Sequence, residues 1–142
     1  MVDSNLIASA SLFEGLDPAH IEPIAGAAVR RELRRGDVLF NEGDEPEDLY
    51  IVVEGRIAIS NRSPDGRESV VALMESGDLF GEMGLFGGGG RSAGARALER
   101  SIVVVVPYAP VRSLYETNPE LLWRVVDMLS TRLRSMDSAL AD

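Results

Sequence analysis

The sequence predicts a mainly β domain flanked by helices, with a long helix at its C-terminal end. Three observations carry this. From Val29 to Val106, short apolar runs are separated by turn residues at regular spacing, which is the pattern of an antiparallel β-sandwich or barrel. The segment before Val29 carries helix signals instead. After Pro119, apolar residues recur with the spacing of a heptad seam.

Taken in order, Asn5 to Ser11 reads as a short amphipathic helix. Asp17-Pro18 then opens a second helix through Ala28, with a capping residue followed by a proline at the first helical position. Leu12, Phe13 and Leu16 form the anchor between the two. Strands are expected at Arg30–Arg34, Val38–Phe40, Asp48–Val53, Arg56–Asn61, Glu68–Met74, Ser92–Ala97 and Ser101–Pro107. Their turns are chemically explicit: Arg35-Gly36-Asp37, Asn41-Glu42-Gly43-Asp44, Glu54-Gly55 and Pro64-Asp65-Gly66 each supply a residue that tolerates tight or left-handed geometry.

Beyond Pro107 a short helix from Ala109 to Glu116 leads to Thr117-Asn118-Pro119-Glu120, where a capping residue and a proline announce the last helix. Leu122, Val126, Leu129, Leu133, Met136 and Leu140 recur along it at alternating spacings of four and three, a seam that wants a partner helix. A second stripe of Leu121, Val125 and Met128, with Trp123 nearby, suits docking on the chain's own β-domain. The division is therefore 1–116, the helices and β-domain, and 117–142, the C-terminal helix, with a homodimer expected through that helix.

Composition narrows the function. Of the 142 residues, 45% are hydrophobic and 26% charged, enough for one domain with its own core. No stretch approaches the apolar length of a membrane span, and an N-terminus with Asp3 and no early basic residue is unlike a signal peptide, so a cytoplasmic protein is expected. Cysteine is absent and His20 is the single histidine, which leaves no thiolate site and argues against metal catalysis. His20 falls in the second helix, where a structural role is expected. No nucleophile has a neighbouring base, so no catalytic residue is assigned and the chain is not expected to be an enzyme. The net charge of −9, from 14 basic residues, all arginine, against 23 acidic ones, argues against gripping nucleic acid unaided.

The chemistry concentrates in Phe80-Gly81-Glu82-Met83-Gly84-Leu85-Phe86-Gly87-Gly88-Gly89-Gly90-Arg91-Ser92-Ala93, where a carboxylate and a guanidinium stand at the two ends of a glycine-rich loop. Glycine lets backbone amides approach an anion closely, and arginine offers a planar fork of donors that matches phosphate oxygens. Glu82 beside a phosphate would be repelled, so its role is to accept hydrogen bonds from a sugar hydroxyl. Phosphate and ribose together mean a nucleotide. Phe80, Leu85 and Phe86 tie the loop to a core. Because the protein's overall field repels a nucleotide, affinity has to come from local donors.

This loop resembles the phosphate-binding cassette of the cyclic nucleotide-binding domain, whose pattern is Phe-Gly-Glu, a short loop and Arg-Ser/Thr-Ala. Arg35-Gly36-Asp37, Glu42-Gly43-Asp44, Tyr50-Ile51-Val52-Val53-Glu54-Gly55 and Gly77-Asp78 fall in the family's order as well, so the likeness runs from about Leu12 to about Leu140. It implies a double-stranded β-helix, or jelly roll, with a dimerisation helix of the catabolite activator (CRP/FNR) type. It also implies that Gly81 and its neighbours open a short helix facing the cyclic phosphate, that Arg91 pairs with that phosphate and that Glu82 holds the ribose 2′-hydroxyl. Phe80, Met83, Gly84, Ser92 and Ala93 complete the cassette, and Ser92 can offer the base a further polar contact. Val71 and Leu73 would contact the base or simply fill the core.

On the C-terminal helix the resemblance aligns Arg132 with an arginine that faces the cassette glutamate, and a solvated arginine is the simpler alternative. It puts Met136 where a hydroxyl residue touches the base, and Asp137 where a second polar contact is usual. Met136 departs from the family's pattern, and it is the family resemblance alone that puts cAMP ahead of cGMP, with no metal expected. The implied function is a cyclic-nucleotide sensing domain, most simply the effector part of a CRP/FNR-type transcription regulator whose DNA contacts belong to a following helix-turn-helix domain. The chain stops at Asp142 before any such motif, and a helix cut short is favoured over a natural end. The alternatives are a stand-alone sensor and a ligand-free dimerisation module.

Overall fold

The computed structural model describes residues 2–141, with side chains through residue 137. The chain divides into two compact units, Met1–Pro110 and Val111–Asp142.

The first unit opens with α1 (Ser4–Ala8) and α2 (Pro18–Ala27). Asp3 caps α1, its carboxylate accepting from the Asn5 N–H at 2.9 Å, whereas Asp17 makes no such bond at α2 and Pro18 at the first position starts the helix instead. Ile7, Phe13, Ile21 and Ile24 are fully buried between and beneath these helices, and Leu12 joins them, as its place between the helices predicts.

Eight strands follow: β1 (Val29–Leu33), β2 (Val38–Phe40), β3 (Asp48–Glu54), β4 (Ile57–Arg62), β5 (Glu68–Met74), β6 (Leu79–Phe80), β7 (Gly94–Ala97) and β8 (Ser101–Pro107). They form two antiparallel four-stranded sheets, ordered β1-β8-β3-β6 and β2-β7-β4-β5. This is the jelly-roll class expected. Leu33, Tyr50, Val52, Phe80 and Val103 of the first sheet meet Ile57, Ala95 and Ala97 of the second to make the core. The first sheet is buried on its other face too, where α2 lies against β8, which explains why Ile102-Val103-Val104-Val105-Val106 is apolar without alternation.

Three turns repeat one device. In Arg34–Asp37, Asn41–Asp44 and Glu75–Asp78, a glycine with positive φ precedes an aspartate whose carboxylate accepts the N–H three residues back at 2.8–2.9 Å. The aspartate N–H returns a bond to the same residue's carbonyl. Each Gly-Asp pair therefore closes its turn twice.

Two expectations change. Ser92 and Ala93 lie outside β7, which starts only at Gly94. In β5, Met74 pairs with Ile57 and Ala72 with Ile59, sharing the core face, but Val70 is the next residue to pair, opposite Ser60. Val71 is the extra residue of a β-bulge, so strict alternation over Ser69, Val71 and Leu73 does not hold. Leu73, opposite Ala58, turns away from the core face and is 46% exposed.

In the second unit, α4 (Tyr108–Thr117) ends and α5 (Leu122–Ala141) follows a single 3₁₀ turn at Pro119–Leu121. Asn118 does not cap the following turn. Its side-chain amide instead donates to the Leu114 carbonyl at 3.1 Å and closes the end of α4. Along α5, Val125 is buried and Leu121 and Met128 are half-buried, whereas Leu122, Val126, Leu129, Leu133 and Met136 are exposed. The side chain of Leu140 lies outside the described residues.

Candidate ligand-binding site

The two ends of the glycine loop converge through side-chain chemistry. Phe80 closes β6 and is buried in the core, so its ring anchors the start of the loop. Gly81 follows with φ of 81°, and a Cβ there would stand 3.1 Å from both Arg91 Nη1 and Tyr50 Cδ2. Only glycine fits both the backbone and the space. Glu82 then leads into α3 (Met83–Phe86), a single turn closed by the Leu85 N–H donating to the Glu82 carbonyl at 2.9 Å. Leu85 is buried, but Phe86 is 46% exposed rather than tied into the core, and Met83 is 75% exposed. The helix thus opens at Met83, two residues later than Gly81.

The four glycines of the run differ in what they need. Gly87 and Gly88 have room around them, Gly89 has φ of 94°, and Gly90 packs so tightly on the Gly43 backbone that no side chain would fit. The same approach lets the Gly43 N–H donate to the Arg91 carbonyl and the Arg91 N–H donate to the Asp44 carbonyl, each at 2.8 Å. The loop is therefore pinned at its end to the Asn41–Asp44 turn.

Arg91 itself points inward. Its Nη1 donates to the Gly81 carbonyl at 2.7 Å and to the Tyr108 hydroxyl at 3.3 Å, and its Nη2 donates to the Asp48 carbonyl at 2.6 Å. The guanidinium carbon stands 4.1 Å from the Phe40 ring centroid, with the rings of Tyr50 and Tyr108 about 6 Å away. Phe40, Tyr50 and Phe80 pack in turn against one another at centroid distances of 5.3–6.4 Å. The sequence shows an arginine with a fork of donors to offer; the structure shows that fork held by two carbonyls and a phenol. Its Nε is buried and has no partner among the described residues.

Burial raises the Tyr108 phenol above its usual range, with Arg91 opposing and the Glu82 carboxylate adding to the rise. Glu82 is thus electrically close to this cluster. Its carboxylate makes no hydrogen bond or ion pair among the described residues. Burial likewise raises the Asp48 carboxyl, with Glu47 adding and Arg91 opposing.

Gly81, Glu82, Gly84 and Arg91 are therefore brought together. Ser92 is exposed and Ala93 half-buried immediately after Arg91. Of the apolar pair in β5, Val71 stands at the bulge and Leu73 faces away; Ala72 and Met74 take the core face instead. Arg132, Met136 and Asp137 lie on α5 of the second unit, all exposed. Tyr108, Phe40 and the Asp48 carbonyl were not readable as site groups, since nothing in local sequence marks a tyrosine 17 residues from Arg91 as its partner. A cleft of about 410 Å³ between β2 and the β4–β5 hairpin, bordered by Asn41, Glu42, Ser60, Glu68 and Arg96, contains none of the predicted residues. His20 is half-buried on α2, its Nδ1 without a partner among the described residues. Among those residues, no group of three or more metal-ligating side chains is found.

Comparison with known proteins gives concordant results. The family model for the cyclic nucleotide-binding domain matches residues 30–118. A CRP-like cAMP-activated global transcriptional regulator of Mycobacterium tuberculosis is 31% identical over 137 residues, spanning 96% of this chain and 61% of that protein. The chain thus spans about half to three fifths of the length of the curated relatives it matches. Among solved structures, the Catabolite Activator Protein of Thermus thermophilus superposes with a TM-score of 0.74 at 32% identity, covering 91% of this chain and 61% of that one. The sensor domain of the transcriptional regulator DNR from Pseudomonas aeruginosa shares the fold at a TM-score of 0.84 and 23% identity, covering 93% of this chain and 89% of that chain.

Proposed function

This chain belongs to the cyclic nucleotide-binding domain family, and we propose that it senses a cyclic nucleotide, cAMP ahead of cGMP, to regulate an attached or partner module. The observation that carries the proposal is the convergence of Glu82 and Arg91 around the Gly81 turn. Arg91 binds the cyclic phosphate, and its buried Nε–H is a donor that an anion would satisfy. Glu82, whose carboxylate makes no hydrogen bond among the described residues, holds the ribose 2′-hydroxyl. Phe80, Gly81, Met83 and Gly84 form one wall of the cassette, Ser92 and Ala93 its far end, and Val71 meets the base.

The matched relatives are named as cAMP-activated transcriptional regulators and are longer than this chain. We therefore assign the chain to the effector part of a regulator of that type, acting in the cytoplasm, with DNA contacted through a further domain and no catalytic step. The exposed seam of Leu122, Val126, Leu129, Leu133 and Met136 supports a homodimer, since such a row gains its stabilisation only when a second helix covers it. Ligand regulates by favouring one of two arrangements, which requires different affinities for them.

One observation favours a second reading. Both terminal nitrogens of Arg91 donate to protein acceptors, as those of a purely structural arginine would, and a ligand-free dimerisation module would look the same there. Isothermal titration with cAMP and cGMP separates the two. Saturable binding of one cyclic nucleotide per chain supports the sensor; no heat from either favours the ligand-free module.

A further inference from the structure

Tyr108 stands at the junction of β8 and α4 within the first unit, 1% exposed. Its hydroxyl donates to the Gly81 carbonyl and accepts from Arg91 Nη1 at 3.3 Å. A phenol can both donate and accept, and here it does each with a group of the cassette. A Cβ at Gly84 would stand 3.0 Å from this hydroxyl and collide with Pro46, so glycine is what allows the approach. Arg91 Nη1 shares the same Gly81 carbonyl at 2.7 Å. One hydroxyl thus bonds positions 81 and 91 and packs against 84, which the sequence spreads over eleven residues.

Resting on the reading of Arg91 as the phosphate ligand, we infer that Tyr108 is a positioning residue, holding the Arg91 guanidinium and the Gly81–Gly84 turn in one fixed relation so that a phosphate meets donors already in place. The warrant is preorganisation: a binding group whose orientation is set by its neighbours loses less freedom when the ligand arrives. Tyr108→Phe keeps the ring and its packing beside Arg91 but leaves Arg91 Nη1 without one acceptor.

The test uses the full chain and Tyr108→Phe in wild-type and Arg91→Lys backgrounds, with cAMP as the probe. Calorimetry is expected to give about fivefold weaker cAMP binding for Tyr108→Phe alone, the worth of one typical hydrogen bond. In the Arg91→Lys background the same change is expected to add almost nothing, because the group it positions is gone. ¹⁵N NMR of the Arg91 side chain supplies a readout that needs no ligand: resolved Nη signals in the wild type, broadened by faster rotation in Tyr108→Phe, where the two carbonyl bonds remain. Unchanged affinity would overturn the inference, and so would a full, additive penalty in the Arg91→Lys background, which marks a general structural role. If the wild-type chain binds no cyclic nucleotide, the functional reading fails by itself. The NMR arm then decides for Tyr108, with broadening supporting it and unchanged signals overturning it.

Discussion

Gly81 and Gly88 lie in one loop yet answer to different constraints, and the difference is measurable. Gly81 combines a left-handed backbone with close neighbours in Arg91 and Tyr50, whereas Gly88 has open space around it and no positive φ. Gly81→Ala is expected to cost about 1–3 kcal/mol in denaturant unfolding, with Gly88→Ala close to neutral. Equal effects would mean that the loop is uniformly loose. Asp48 gives a pH-dependent counterpart. Its carboxyl is raised above the ordinary value of 3.8, first by burial and then by Glu47, with Arg91 opposing. The folded state therefore holds this proton more tightly than the unfolded chain, and the stability so contributed is lost as pH rises from that ordinary value through the folded one. Ionised Asp48 is a net cost at neutral pH. Asp48→Asn is thus expected to melt higher than wild type at pH 7, with the gap closing below the ordinary carboxylate range; a gap independent of pH would contradict this.

At the scale of elements, α5 carries the sharpest expectation. Its seam residues are exposed while Val125, one stripe away, is buried, so the apolar faces serve different purposes. Leu129→Glu puts a charge in the middle of the exposed seam and is expected to shift sedimentation from dimer to monomer at micromolar concentration; identical sedimentation of variant and wild type would remove the seam from the interface. Most strands were legible because their turns are punctuated, as the Gly-Asp repeat at Asp37, Asp44 and Asp78 shows. β6 was not, being two residues long and apolar only at Leu79 and Phe80. The bulge at Val71 was invisible for a different reason: it is a property of the ladder between β4 and β5, and alternation read along one strand cannot reveal an unpaired residue. Caps divided in the same way. Asp17 and Asn118 are helix-start residues by type, but proline starts the one helix and Asn118 turns back to Leu114.

For the whole molecule, the two-sheet frame explains why the site was half readable. The cassette is one continuous stretch of chain, so its glycines, Glu82 and Arg91 could be named in advance. What holds Arg91 comes from β2, β3 and the start of α4, through Phe40, Asp48 and Tyr108, which meet only when the sheets close. We propose that this frame presents Glu82 and Arg91 to a cyclic phosphoribose. Arg91 is a poor choice for testing it, since its three protein hydrogen bonds entangle binding with stability. Glu82 is a clean one, because its carboxylate bonds to nothing among the described residues. The most direct measurement is a parallel titration of wild type and Glu82→Gln with cAMP and 2′-deoxy-cAMP. The expected result is unchanged melting and a loss of about 10-fold or more for cAMP, in line with a hydrogen bond to a charged group, with no further loss for the 2′-deoxy ligand. Equal cAMP affinity in the two proteins would contradict the account.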